Sequence, residues 1–103
     1  SGGNIALPNA FTPLKDGSRG GKYNPAAIDN NIFFPVYTEV NEFLMQIFNR
    51  WGELVFESND INIGWDGYIN GAIAQQDVYV YKVKGRYLDN SPFEKVGEVT
   101  LLR

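Results

Sequence analysis

The chain has 103 residues, 44% of them hydrophobic and 15% aromatic, which is one domain's length with enough apolar material for a packed core and excludes a disordered segment. Its formal net charge is −3 with 9 scattered Lys and Arg, which argues against nucleic acid and anionic membrane surfaces as partners, since both are recognised by clustered positive charge. Cysteine and histidine are both absent, which removes disulfides, thiolate nucleophiles, imidazole bases and the usual zinc ligands, so no cofactor and no enzymatic activity are expected.

In chain order, Ser1-Gly2-Gly3 lacks the charged and apolar regions of a signal peptide, and residues 1–4 are expected to be a linker or an expression remnant preceding a domain over 5–103. Ile5-Ala6-Leu7 predicts a short strand, and Asn9-Ala10-Phe11-Thr12-Pro13 an extended segment, because the residue before proline is pushed out of the helical region. Leu14 to Pro25 is a loop by its glycines and Asx residues. Ala26–Asn30 has room for one helical turn. Asn31–Thr38, interrupted by Pro35, predicts an edge strand or two short pieces.

From Val40 the pattern has period two. Phe43, Met45 and Ile47 share one face, and Leu54 and Phe56 alternate after a turn at Arg50-Trp51-Gly52, so Val40 to Glu57 predicts a β-hairpin. Asn59–Gly71 is a glycine- and Asx-rich connection. Asp77–Lys84 alternates again, with Tyr79, Tyr81 and Val83 on one side, and Gly85–Leu88 can continue it. Asp89-Asn90-Ser91-Pro92 is a turn, and Phe93–Leu102 is the last strand, with Val99 and Leu101 on one face. About seven short strands separated by turn signals, with no sustained helical period, predict an all-β antiparallel sandwich. Phe43, Met45, Ile47, Leu54, Phe56, Tyr79, Tyr81 and Val83 are expected to face inward. No window approaches the ~20 apolar residues of a membrane span, so no transmembrane segment is expected.

Four segments carry a resemblance: Asn9-Ala10-Phe11-Thr12-Pro13, the run from Ile47 to Ser58, Gly64-Trp65-Asp66-Gly67, and Val99-Thr100-Leu101-Leu102-Arg103. Asn70-Gly71 and Val78-Tyr79-Val80-Tyr81 fall between the last two. In this order they resemble the gliding motility-associated C-terminal domain, the type B sorting domain of the type IX secretion system. The chain departs from that pattern twice. Leu14–Arg19 keeps only Asp16 and Gly17 of an Asx-rich loop, and Asp77 replaces a glycine before the Val-Tyr-Val-Tyr strand.

The resemblance implies an immunoglobulin-like sandwich at the C-terminal end of a larger precursor. It implies N-terminal cargo domains on the same chain, an outer-membrane secretion machinery protein as partner, and delivery through the periplasm and outer membrane to the cell surface or exterior of a Bacteroidetes-type bacterium. The competing reading is a carbohydrate-binding or structural spacer module of a surface adhesin, which exposed, coplanar Trp51, Trp65 and Tyr68 would favour.

The partner-contacting residues expected are Arg50, Trp51 and Gly52 at the hairpin turn and Leu101, Leu102 and Arg103 in the last strand, available at a sheet edge for β-augmentation. Each has an architectural reading beside the functional one. Trp51 folded back over the hairpin would contribute about 2–3 kcal/mol by burial, which favours that position. Arg50 either docks a carboxylate or bonds a turn carbonyl. Asp66 and Gly67 predict an Asx turn. Asp60, Asn62 and Asp66 make a thin oxygen set for calcium. Glu39, Glu42, Glu53 and Glu57 are weak candidates for a glycosidase pair.

Overall fold

The computed structural model describes residues 2–18, 20–22 and 30–103. Nine strands and no helix occur among them: β1 (Asn4–Ala6), β2 (Ala10–Phe11), β3 (Val36–Thr38), β4 (Val40–Phe48), β5 (Leu54–Ser58), β6 (Tyr68–Ile69), β7 (Ala72–Ile73), β8 (Asp77–Tyr87) and β9 (Pro92–Leu101). The helical turn considered for Ala26–Asn30 lies on 26–29, outside the described residues.

Five strands form the main sheet in the order β2-β9-β8-β4-β5. All its pairings are antiparallel except β2 with β9, which is parallel over Ala10–Thr100 and Phe11–Leu101. The facing layer is assembled from smaller pieces: the β1–β3 pair, the β6–β7 hairpin, and single bridges between Lys22 and Ile63 and between Phe33 and Trp65. The chain therefore makes an immunoglobulin-like sandwich, in which the first strand serves one layer as β1 and, beyond Pro8, the other layer as β2.

Alternation builds the core. Phe43, Met45 and Ile47 of β4, Tyr79 and Val83 of β8, and Val99 and Leu101 of β9 are buried on the inner face, as period two requires of a half-covered sheet. Tyr81, partly buried, points the same way and lies across Gly97 of β9, where an added Cβ would meet the Tyr81 Oη at 2.4 Å. The weak alternation of the last strand at Gly97 is thus a seat for an aromatic ring from the neighbouring strand.

Leu54 departs from expectation. It is 50% exposed, whereas Phe56 two residues on is packed against the core. The ladder pairs Ile47 with Phe56 but Phe48 with Leu54, so Val55 is an extra residue in β5. A bulge reverses the facing of everything beyond it, and Leu54 shares the outer face with Phe48.

The centre of the core is Trp65, fully buried. Its ring meets Tyr79 edge-on at 4.9 Å and lies 5.5 Å from Phe11 and 6.5 Å from Phe56, and its Nε1 donates to the Tyr68 carbonyl at 3.2 Å. Gly64 and Gly67 on either side allow the approach, since a Cβ at Gly64 would sit 2.4 Å from the Phe33 oxygen and one at Gly67 2.3 Å from Pro13. Asp66 makes the expected Asx turn, its Oδ1 accepting from the Tyr68 N–H at 3.0 Å. The same Asp66 accepts from the Ser18 hydroxyl, and the Tyr68 hydroxyl donates to the Leu14 carbonyl at 2.6 Å, so the loop after Pro13 is fastened to this turn. Asn70 and Gly71 both have positive φ, 51° and 83°, as the tight β6–β7 hairpin requires.

Candidate functional site

The β4–β5 turn is built around one side chain. Asn49 Oδ1 accepts from the N–H groups of Trp51 at 2.9 Å and Glu53 at 3.0 Å, and its Nδ2 donates to Glu53 Oε1 at 2.8 Å. Gly52 closes the turn with φ 80° and an N–H bond to the Asn49 carbonyl at 3.0 Å. This arrangement turns Trp51 outward. The ring is 77% exposed, which corrects the expectation that it folds back over the hairpin. The Asn49 network fixes the direction of the backbone at Trp51, and the core place a tryptophan would take is filled by Trp65.

Among the described residues the Arg50 side chain bonds no turn carbonyl. Its guanidinium lies 3.5 Å from Asp77 Oδ2 and 5.6 Å from the centroid of the Trp51 ring, a cation–π separation. Asp77 is the first residue of β8 and pairs with Leu101 of β9. The hairpin turn and the C-terminal residues therefore meet at one end of the sheet through Asp77. Leu101 is fully buried, Leu102 is 43% exposed, and the Arg103 N–H donates to Gln76 Oε1 at 2.9 Å. An open depression of about 230 Å³ at this end is lined by Arg50, Trp51, Gln75, Asp77 and Tyr79. The Tyr79 hydroxyl donates to the Gln75 carbonyl at 2.7 Å. Burial first, and the nearby Asp77 carboxylate second, push its pKa above the ordinary 10.0.

The last strand differs from expectation in its surroundings. Val99–Leu102 does not form a free edge, because β2 covers it: the Thr100 N–H donates to the Asn9 carbonyl and the Leu102 N–H to the Phe11 carbonyl, both at 2.9 Å. Of the six residues expected to contact a partner, Arg50, Trp51, Gly52, Leu102 and Arg103 are exposed and lie on either side of Gln76 and Asp77 at one end of the sheet. Leu101 lies beneath them as core. Gln76 and Asp77, which join the two segments, were not among them. Asp77 stood out in the sequence as a departure from glycine, but nothing local to it announced the contact with Arg50.

Among the described residues, Trp51, Trp65 and Tyr68 do not share one exposed face. Trp65 is core, Trp51 stands at the far turn, and Tyr68 is half-buried with its hydroxyl bonded. Asp60 accepts from the Asn62 N–H, Glu53 is held by Asn49, and Glu57 accepts from Gln46 Nε2 at 2.7 Å. Among the described residues no three His, Cys, Asp or Glu cluster as metal ligands would. A larger depression of about 550 Å³ lies at the opposite end of the sheet, beside Gly85, and its charges, Glu42, Lys84, Arg86 and Glu94, are of mixed sign. No helix among the described residues is long and apolar enough to cross a membrane.

The chain belongs to the CHU_C type IX secretion signal domain family, whose match covers residues 5–100. No curated protein and no solved structure matches the chain. The domain is a sorting signal of the type IX secretion system: it directs a cargo protein, through the secretion machinery, across the outer membrane to the cell surface or exterior. Secretion signal domains are not an enzyme family.

Proposed function

We propose that an outer-membrane protein of the secretion machinery reads this domain, as a folded unit emerging from the periplasm, at the sheet end where Arg50, Trp51 and Gly52 meet Leu102 and Arg103. The cargo occupies N-terminal domains of the same chain, and residues 5–103 act as the sorting domain. The observation that carries this reading is the link through Asp77 and Gln76, which joins two segments far apart in sequence into one surface. An exposed tryptophan held by a fixed turn and backed by a guanidinium loses little conformational freedom on binding, and such side chains dominate recognition interfaces.

The test is export of a signal-peptide-bearing reporter fused to the chain, in a host with a type IX system. The wild-type fusion is expected at the cell surface. Trp51→Ala combined with Arg50→Ala, and separately Leu102→Asp combined with Arg103→Glu, are expected to leave the reporter in the periplasm while the domain melts within about 1 kcal/mol of wild type, as exposed positions do. Surface delivery of both variants at wild-type levels would remove this end of the sheet from the mechanism and leave the domain as a spacer on that face. Deleting Leu101 is no test, because it opens the core.

A further inference from the structure

The β2 clamp covers only the last residues of β9, and among the described residues the rest of that edge is open. The pairing of β8 with β9 is continuous from Asp77–Leu101 to Arg86–Pro92. Because the Thr100 and Leu102 N–H groups point toward β2, the even-numbered residues of β9 present their backbone to that side and the odd-numbered ones to β8. Among the described residues no backbone group pairs with that side of Glu94, Val96 or Glu98. The side chains of the same three residues stand on the outer face, opposite Lys84, Lys82 and Val80, and Val96 is 64% exposed. Glu94 reaches Lys82 at 3.7 Å, with both side chains about half exposed, a pair worth little in water.

We infer that the open edge of β9 at Glu94, Val96 and Glu98 is a second interaction surface, which takes an extended polypeptide segment bearing Lys or Arg two residues before and two residues after an apolar residue, so that all three share one face. Such a segment would continue the sheet beyond β9, end to end with β2. Its main chain would bond the free groups of Glu94, Val96 and Glu98, its apolar residue would cover Val96, and its cations would flank the two carboxylates.

A second copy of this chain is a poor occupant. Two β9 edges paired antiparallel about Val96 would place Glu94 against Glu98 twice, four carboxylates on one face, and like charges directly opposite are destabilising. The same charges that keep the monomers apart select a partner of opposite sign. This surface is separate from the Arg50–Trp51 end, so either reading can fail alone.

The experiment titrates the isotope-labelled chain with an acetylated, amidated Lys-Thr-Val-Thr-Lys peptide, whose Lys, Val and Lys share one face of the strand, and follows amide hydrogen exchange. Slowing of about tenfold or more is expected at the amides of Glu94, Val96 and Glu98, and it should weaken in high salt. The matched Glu-Thr-Val-Thr-Glu peptide should protect none of them. Val96→Pro removes the central free donor without touching the pairing to β8 and should abolish the protection. Glu94→Lys with Glu98→Lys keeps the backbone intact, so it serves even where the proline variant folds poorly, and it should reverse the preference between the two peptides. The inference is overturned by protection scattered over other strands, by equal binding of both peptides, by an unchanged preference in the double lysine variant, or by concentration-dependent protection of the same amides without peptide, which would make the edge a self-association surface.

Discussion

The two halves of β9 are one strand with one register, yet they live in different environments. From Val99 to Leu102 the strand is held on both sides, by β8 and by β2, and its inward residues Val99 and Leu101 are fully buried. From Glu94 to Glu98 it is held, among the described residues, on one side only, and Val96 is exposed. An uncovered sheet edge offers its unpaired groups to other strands, and here two residues of β2 cover one end while acidic side chains guard the other. The clamped half gives the core two fully buried side chains, and the open half leaves backbone groups at which a partner strand could add.

The largest effect should come from the clamped half. Leu101→Ala removes a fully buried side chain and should cost about 3 kcal/mol, a large share of the roughly 5–10 kcal/mol expected of a domain this size. Urea denaturation measures it. A loss similar to that of Leu102→Ala, under about 1 kcal/mol for a half-exposed neighbour, would show that β2 does not hold this end of the strand.

Next is the border between the halves. Gly97→Ala places a Cβ against the Tyr81 ring and should cost about 1–2 kcal/mol by overpacking. Combining it with Tyr81→Ala should cost less than the sum of the two single changes, because the shorter side chain no longer meets the new methyl group. Strict additivity in that cycle would show that Tyr81 does not rest on Gly97.

A smaller effect depends on pH. Tyr79 is paired with Val99 across the sheet and keeps its proton more firmly folded than unfolded, because its pKa is raised. Its contribution is therefore fully present below the unfolded value near 10 and is lost as pH rises through the higher folded value. The urea midpoint should hold level below that range and decline above it. Tyr79→Phe should lose the Gln75 bond, about 1 kcal/mol at neutral pH, and flatten the alkaline decline. An equally steep decline in the variant would assign it to another group.

The smallest effect belongs to the open half. Val96→Ala should change stability by less than about 0.5 kcal/mol, measured by the same denaturation. A larger loss would mean that Val96 is covered in solution.

Much of the main sheet was legible locally. Phe43, Met45 and Ile47, then Tyr79 and Val83, repeat at period two over long strands, and the turns between them carry Gly52, Asn90 and Ser91. Leu54 was misplaced because a bulge is a two-strand property: only the pairing with Phe48 shows that Val55 is extra. The candidate site was half legible. The Arg50-Trp51-Gly52 turn stood out in the sequence, but its tie to Arg103 runs through Gln76 and Asp77, which carry no motif of their own.

The two tryptophans mark the boundary between what is local and what is not. Both follow turn-forming residues, and burial energy alone would put both inside. Trp65 enters the core because Gly64 and Gly67 let the backbone come close to Phe33 and Pro13, while Asn49 turns Trp51 outward. The sequence by itself determined the all-β class, the long central strands, the tight turns and the family, since each rests on neighbours a few residues apart. The tertiary structure alone decided that Ala10–Phe11 would clamp Thr100–Leu101, and so which part of β9 is core and which is edge. Such pairing joins opposite ends of the chain, and its register is chosen by the side chains that fill the space between the layers, which no local pattern records.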